Sequence, residues 1–129
     1  MNGSMMQQPL LISTLLTHAE RHHGSQQIVS RRVEGDVHRY TYCELGARAR
    51  SMANTLSARG IRFADRVATL AWNGYRHMAL YYAVSGSGAV LHSLNPRLHP
   101  DRVVRPRRVW RAKFNIRGRT RAQTARTSP

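Results

Sequence analysis

The chain has 129 residues, 21 of them lysine or arginine against six aspartates and glutamates, for a formal charge of +15. That length allows one ordinary domain, and a single cysteine, Cys43, excludes an internal disulfide. No basic residue precedes the apolar residues 9–16, so a secretory pattern is missing. The mostly apolar residues 78–94 are cut by Ser85-Gly86-Ser87-Gly88 and fall short of the roughly 20 that a membrane span needs. A cytoplasmic location is expected, and the sequon Asn2-Gly3-Ser4 carries no meaning without export.

In chain order, Leu11, Ile12, Leu15, Leu16 and Ala19 recur at helical spacing, and His22-His23-Gly24 supplies the chemistry of a helix stop. Residues 27–33 and 37–42 are β-branched and aromatic runs around Glu34-Gly35-Asp36, which predicts a hairpin. Its exposed arginines are expected to alternate with Val29, Val33, Val37 and Tyr40. Thr41-Tyr42-Cys43-Glu44 is a capping box, followed by an apolar helix face of Leu45, Ala49, Met52, Ala53 and Leu56 and a stop at Gly60. Residues 67–72 form a continuous apolar run, as in a strand buried on both faces. Asn73 is the expected cap of a helix over about 74–85, and residues 89–92 read as a second buried strand. Strand, helix and strand at this length make a βαβ unit, so the class is α/β. Such a parallel pair requires cover on both faces and further neighbours, of which this chain offers few.

The charge changes character after Asp101, the last acidic residue. Residues 1–101 net +5, while residues 102–129 hold nine arginines and one lysine and net +10. Stretches such as Arg105-Pro106-Arg107-Arg108 and residues 120–129 hold too little apolar area to offset the entropy of ordering, so a disordered tail is expected over 104–129.

Three segments stand in a telling order: Tyr40-Thr41-Tyr42-Cys43-Glu44-Leu45, then Gly60-Ile61-Arg62-Phe63-Ala64-Asp65-Arg66-Val67-Ala68, then Gly88-Ala89-Val90-Leu91-His92-Ser93-Leu94-Asn95-Pro96-Arg97-Leu98. Over about residues 10–103 this resembles the start of the AMP-forming acyl-CoA synthetases of the adenylate-forming ligase superfamily, the last segment most like the fatty-acid-CoA ligase branch. The resemblance implies an incomplete N-terminal part of the large AMP-binding domain over 1–103. It also implies the chemistry of the intact family. A fatty acid or other carboxylic acid is activated with ATP and Mg2+ to an acyl-adenylate, and coenzyme A then takes the acyl group. Ala64 departs from the pattern, which usually has glycine before the Asp-Arg-Val turn. Beyond Val103 the departure is complete, and the basic tail reads as translation in a wrong frame or a chimeric gene end.

The machinery that the resemblance implies for catalysis is a Ser/Thr/Gly loop with a lysine, carboxylates for ribose and magnesium, and a further lysine in a small C-terminal domain. None is found in these 129 residues. Lys113 is the only lysine, and no glycine neighbours it. The expectation is therefore no catalytic, cofactor-binding or metal residue, and a fragment inactive by itself. Weaker candidates each have a plainer reading. Gly86-Ser87-Gly88 precedes a strand instead of following one, so it reads as a turn and not a dinucleotide loop. His18 and His22 share a helix face at i, i+4 but lack the zinc-protease order, because Glu20 is not adjacent to His18. Cys43 near a helix start is either a reactive thiol or a half-buried structural cysteine. Trp72 lies at the carboxyl end of a parallel strand, where α/β ligand sites occur, yet packing is the reading kept. Two other functional classes stay open: non-specific contact of the tail with nucleic acid or an anionic surface, and docking on an intact ligase.

Overall fold

A computed structural model describes residues 9–32, 34–94 and 114–117. In order these form α1 (Ile12–His23), β1 (Gln27–Arg31), β2 (Val37–Thr41), α2 (Tyr42–Ala58), β3 (Arg66–Leu70), α3 (Tyr75–Gly86), β4 (Val90–Ser93) and β5 (Phe114–Arg117). The class is α/β as expected.

Helix α1 buries Leu16 and leaves Leu11 and Leu15 exposed. Gly24 follows it with φ −55°, so it is not the left-handed stop that the sequence suggested. Space explains the glycine instead: a Cβ there would lie 2.5 Å from the Glu20 carbonyl oxygen and 2.7 Å from Cys43 Sγ. The Glu20 side chain crosses to α2, where it pairs with Arg50 at 2.9 Å. It lies directly against Gly46, whose missing side chain makes the room.

The antiparallel hairpin β1–β2 pairs Ile28 with Tyr40, Val29 with Arg39 and Arg31 with Val37. Arg32 N donates to the Asp36 carbonyl at 2.8 Å, and the Arg32 guanidinium pairs with the Asp36 carboxylate. The expected inward face is corrected. Val29 and Val37 are 55% and 54% exposed, whereas Tyr40 is buried among Leu16, Leu45, Ala49, Tyr75 and Ala79. Ile28 packs against that cluster. Residues two apart share a face of a strand, so Ile28, Ser30, His38 and Tyr40 look inward and the arginines share the outer face with the valines. Val33 lies outside the described residues.

The capping box of α2 is complete: Glu44 N donates to Thr41 Oγ1 at 3.2 Å, and Thr41 N donates to Glu44 Oε2 at 2.7 Å. Leu45, Ala49 and Leu56 form the buried face, and Met52 joins two core clusters. The chain then turns through Gly60, φ +81°, and Ala64, φ +63°. Ala64 is thus held where a side chain strains the backbone. The turn is fixed by Arg62 N donating to Asp65 Oδ2 at 2.7 Å and Ala64 N donating to the Gly88 carbonyl at 2.9 Å.

Strand β3 is parallel to β4, with Arg66 opposite Val90 and Thr69 opposite Ser93. Val67 and Ala68 are fully buried and Thr69 nearly so, which agrees with a strand covered on both faces. Val67 packs with Leu56, Ile61, Leu80, Val84 and Ala89, so α2 and α3 cover one face, while Ala68, Leu70 and Leu94 cluster separately. Helix α3 starts from Gly74 without a side-chain cap, so Asn73 is not the cap. Tyr75 N instead donates to Ser30 Oγ of the hairpin at 3.1 Å.

Four residues within the segment expected to be disordered form a strand. Phe114 to Arg117 run parallel to β3, from Val67 opposite Phe114 to Leu70 opposite Arg117. Phe-Asn-Ile-Arg alternates apolar and polar residues, and β3 offers an edge of unpaired backbone groups beside it. The rest of 104–129, with Lys113 and Trp110, lies outside the described residues, as does 95–103.

Candidate functional site: the carboxyl end of the central strand

The strands lie in the order β4-β3-β5 although the chain makes β3 first. The sheet therefore grows to one side of β3 and then to the other. The carboxyl end of β3 is a topological switch point, the place where open α/β sheets leave a crevice for ligands.

A cleft of ≈ 320 Å³ opens there, lined by Thr69, Ala71, Trp72, Asn73, His77, Ser93 and Leu94. Strand β3 ends at Leu70, so the apolar run stops before Trp72, and the indole, expected to pack, is 59% exposed at the rim. Thr69, 1% exposed, places Oγ1 at 3.3 Å from His77 Nε2 on the first turn of α3. Neither His77 nor its bond to Thr69 was read from the sequence. The signal available was their spacing of eight residues across a strand end and a helix start.

A second cleft of ≈ 300 Å³ shares Asn73 and His77 and runs between the hairpin and α3, past Ile28, Ser30, Tyr40, Tyr75 and Met78. Burial pushes the Tyr40 phenol up from its ordinary value, with the nearby Arg48 opposing. Arg48 and Arg76 both lie over the Tyr75 ring, 5.1 and 4.8 Å from its centre. His38 stacks on the same rings, 5.3 Å from Tyr40 and 4.0 Å from Tyr75, and its Nε2 is buried without a hydrogen-bond partner among the described residues.

Among the described residues, neither lining includes a carboxylate, a lysine or an arginine. Among the described residues the Thr69–His77 pair has no carboxylate beside it in the lining, and the nearest guanidiniums given, Arg48 and Arg76, lie over the Tyr75 ring. These clefts can hold a group by hydrogen bonding and stacking. Gly86-Ser87-Gly88 is the turn between α3 and β4; Gly88 has φ +77°, and a Cβ there would lie 2.6 Å from the Phe63 ring. That glycine makes room for Phe63 and offers no phosphate cradle.

The other candidates are scattered. His18 and His22 do share a face of α1, with ring centres 4.5 Å apart. No group of three or more His, Cys, Asp or Glu among the described residues could hold a metal ion. Cys43 is exposed and not half-buried, its backbone N–H donating to the Gly24 carbonyl at 3.2 Å. Among the described residues no helix is long and apolar enough to cross a membrane.

With this geometry in hand, the comparisons with known proteins agree with one another. The family described as AMP-binding enzyme matches residues 15–128. The chain is 50% identical over 104 residues to the 3-methylmercaptopropionyl-CoA ligase of Ruegeria lacuscaerulensis, covering 81% of this chain and 19% of the relative. It is 45% identical over 103 residues to the medium-chain-fatty-acid–CoA ligase of Ectopseudomonas oleovorans, covering 80% and 19%. Among solved structures, the fatty acid AMP ligase from Legionella pneumophila superposes with a TM-score of 0.73 at 18% identity, over 85% of this chain and 20% of that one. The anthranilate CoA ligase AuaEII, in complex with anthranoyl-AMP, gives 0.74 at 19% identity, over 85% and 21%. Likeness at such identities carries the fold alone. The chain spans 19% of the length of these curated relatives.

Proposed function

We propose, since this chain belongs to the family of AMP-binding enzymes, that it is the amino-terminal part of an AMP-forming acid–thiol ligase. The observation that carries this is 50% identity over 104 residues to a CoA ligase, joined to a family match over residues 15–128. The reaction of the whole enzyme is then the family's. A carboxylate oxygen attacks the α-phosphate of Mg-ATP and expels pyrophosphate, and the thiolate of coenzyme A attacks the acyl carbon of the adenylate and expels AMP. The substrate is an aliphatic carboxylic acid, in keeping with relatives named for 3-methylmercaptopropionyl-CoA and for medium- and long-chain fatty acids.

The 129 residues have no part in the chemical steps. The described residues that line their clefts include none of the cations and carboxylates that adenylation requires, and the chain contributes the first strands of the sheet on which the remaining domain is built. The chain alone is therefore inactive. An ATP–pyrophosphate exchange assay with an aliphatic acid series tests both halves of the reading. The chain by itself should stay at background, and a protein that continues it with the rest of a ligase should exchange. Turnover by the 129 residues alone would refute the inactivity, and a continued, folded protein with no acid-dependent exchange would refute the assignment.

For residues 104–129 we hold to a segment outside the family's reading frame. All six carboxylates lie at or before Asp101, and ten cations follow it. The reading must accommodate the strand at Phe114–Arg117 and the family match to residue 128. Translating the coding DNA in its other frames beyond Val103 tests it, and finding no ligase-like continuation there would count against it. The same cations support a second reading, non-specific binding of nucleic acid or anionic surfaces through counterion release. Its mark is affinity that falls steeply with salt and does not distinguish sequences.

A further inference from the structure

The imidazoles at the end of α1 are unused by the reading above. His18 and His22 are exposed, one helical turn apart, with ring centres 4.5 Å apart and planes tilted by 40°. His23 follows, its ring centre 6.1 Å from that of His18. The i, i+4 spacing is the one by which a helix presents two histidines to a single metal ion. Glu20, the acidic residue between them, points away to Arg50. His22 and His23 sit in the last turn of a helix of 12 residues, the end where the backbone dipole favours a cation, and His18 lies one turn before His22.

We propose that His18 and His22 form a two-point chelate for a divalent cation of the Ni2+, Cu2+ and Zn2+ class, the ions that imidazole suits. Both rings reach one ion from the solvent side, and water completes its coordination. Hard cations such as Mg2+ and Ca2+, which demand oxygen ligands, are refused. The bound ion ties residue 18 to residue 22 across one turn and so braces the end of α1 that carries Glu20 against α2. This site lies on α1, away from both clefts, and does not depend on the ligase reading.

The test is titration of the full chain with NiCl2 or CuCl2, followed by the imidazole proton resonances. Expected is saturable binding of one equivalent that broadens His18 and His22 before the other histidines, with no response to MgCl2. His18→Ala or His22→Ala should abolish it, while Cys43→Ser should leave it unchanged. Both histidines are exposed, so the variants should retain the native circular dichroism. Uniform broadening of all histidines, binding lost in Cys43→Ser instead, or equal binding by the His18→Ala/His22→Ala protein would overturn the proposal.

Discussion

Helices α2 and α3 are neighbours in the same layer, yet they are held in different ways. Helix α2 carries its own start. Thr41 and Glu44 satisfy each other's backbone N–H groups, and only Leu45, Gly46, Ala49 and Leu56 of its 17 residues are buried. Helix α3 has no side-chain cap, no acid in its first turn and five buried residues in 12. Its first N–H is satisfied from 45 residues away by Ser30. One helix is specified locally and the other by what surrounds it, which is how most helices in folded proteins obtain their stability.

The largest effect should come from α3's packing. Leu80, buried between β3 and α2, is expected to cost about 2–5 kcal/mol as Leu80→Ala, measured by urea unfolding. Cutting the local device of α2 should cost less: Thr41→Ala is expected to lose about 1 kcal/mol. If it cost as much as Leu80→Ala, the contrast between the helices would fail. Ser30→Ala removes the borrowed cap of α3 and should cost about 0.5–1.5 kcal/mol, with hydrogen exchange rising at Tyr75 but not in α2. Ala64→Gly should act in the opposite sense, adding about 0.5–1 kcal/mol by relieving the left-handed strain at φ +63°.

The smallest effect is a pH slope. Bonds from the backbone and hydroxyl of Thr41 hold the Glu44 carboxyl below its ordinary value. A depressed carboxylate contributes stability that is present above its unfolded pKa, about 4.3, and is lost as pH falls through the lower folded value. Stability measured from pH 6 down to pH 3 should therefore drop less in Glu44→Gln than in the native chain. Equal slopes would remove the electrostatic part of the cap.

The same contrast decides what could be read in advance. The capping box, the βαβ unit and the stop at Gly60 are local signals, and all three stand in the structure. Asn73 as a cap did not hold, because the group that satisfies Tyr75 N comes from another element. Val29 and Val37 were expected to alternate with the exposed arginines, yet each lies two residues from one, Arg31 and Arg39, and so shares its outer face. The choice fell to Tyr40, whose hydroxyl meets Met78 Sδ at 3.5 Å, a contact no local pattern contains. His77 was missed at the crevice for the same reason: its partner Thr69 lies on a different element. Ala64 was legible only as a departure from a family habit, and the positive φ supplies the physical reason for that habit.

The order of the sheet also sets a timetable. During synthesis β4 can join β3 soon after α3 is made, but the partner on the other edge is complete only at Arg117. At ~5–20 residues per second the ribosome leaves that edge of β3 open for roughly 2–9 s. Throughout that interval a strand buried on both faces offers unpaired backbone along one edge to any extended segment nearby.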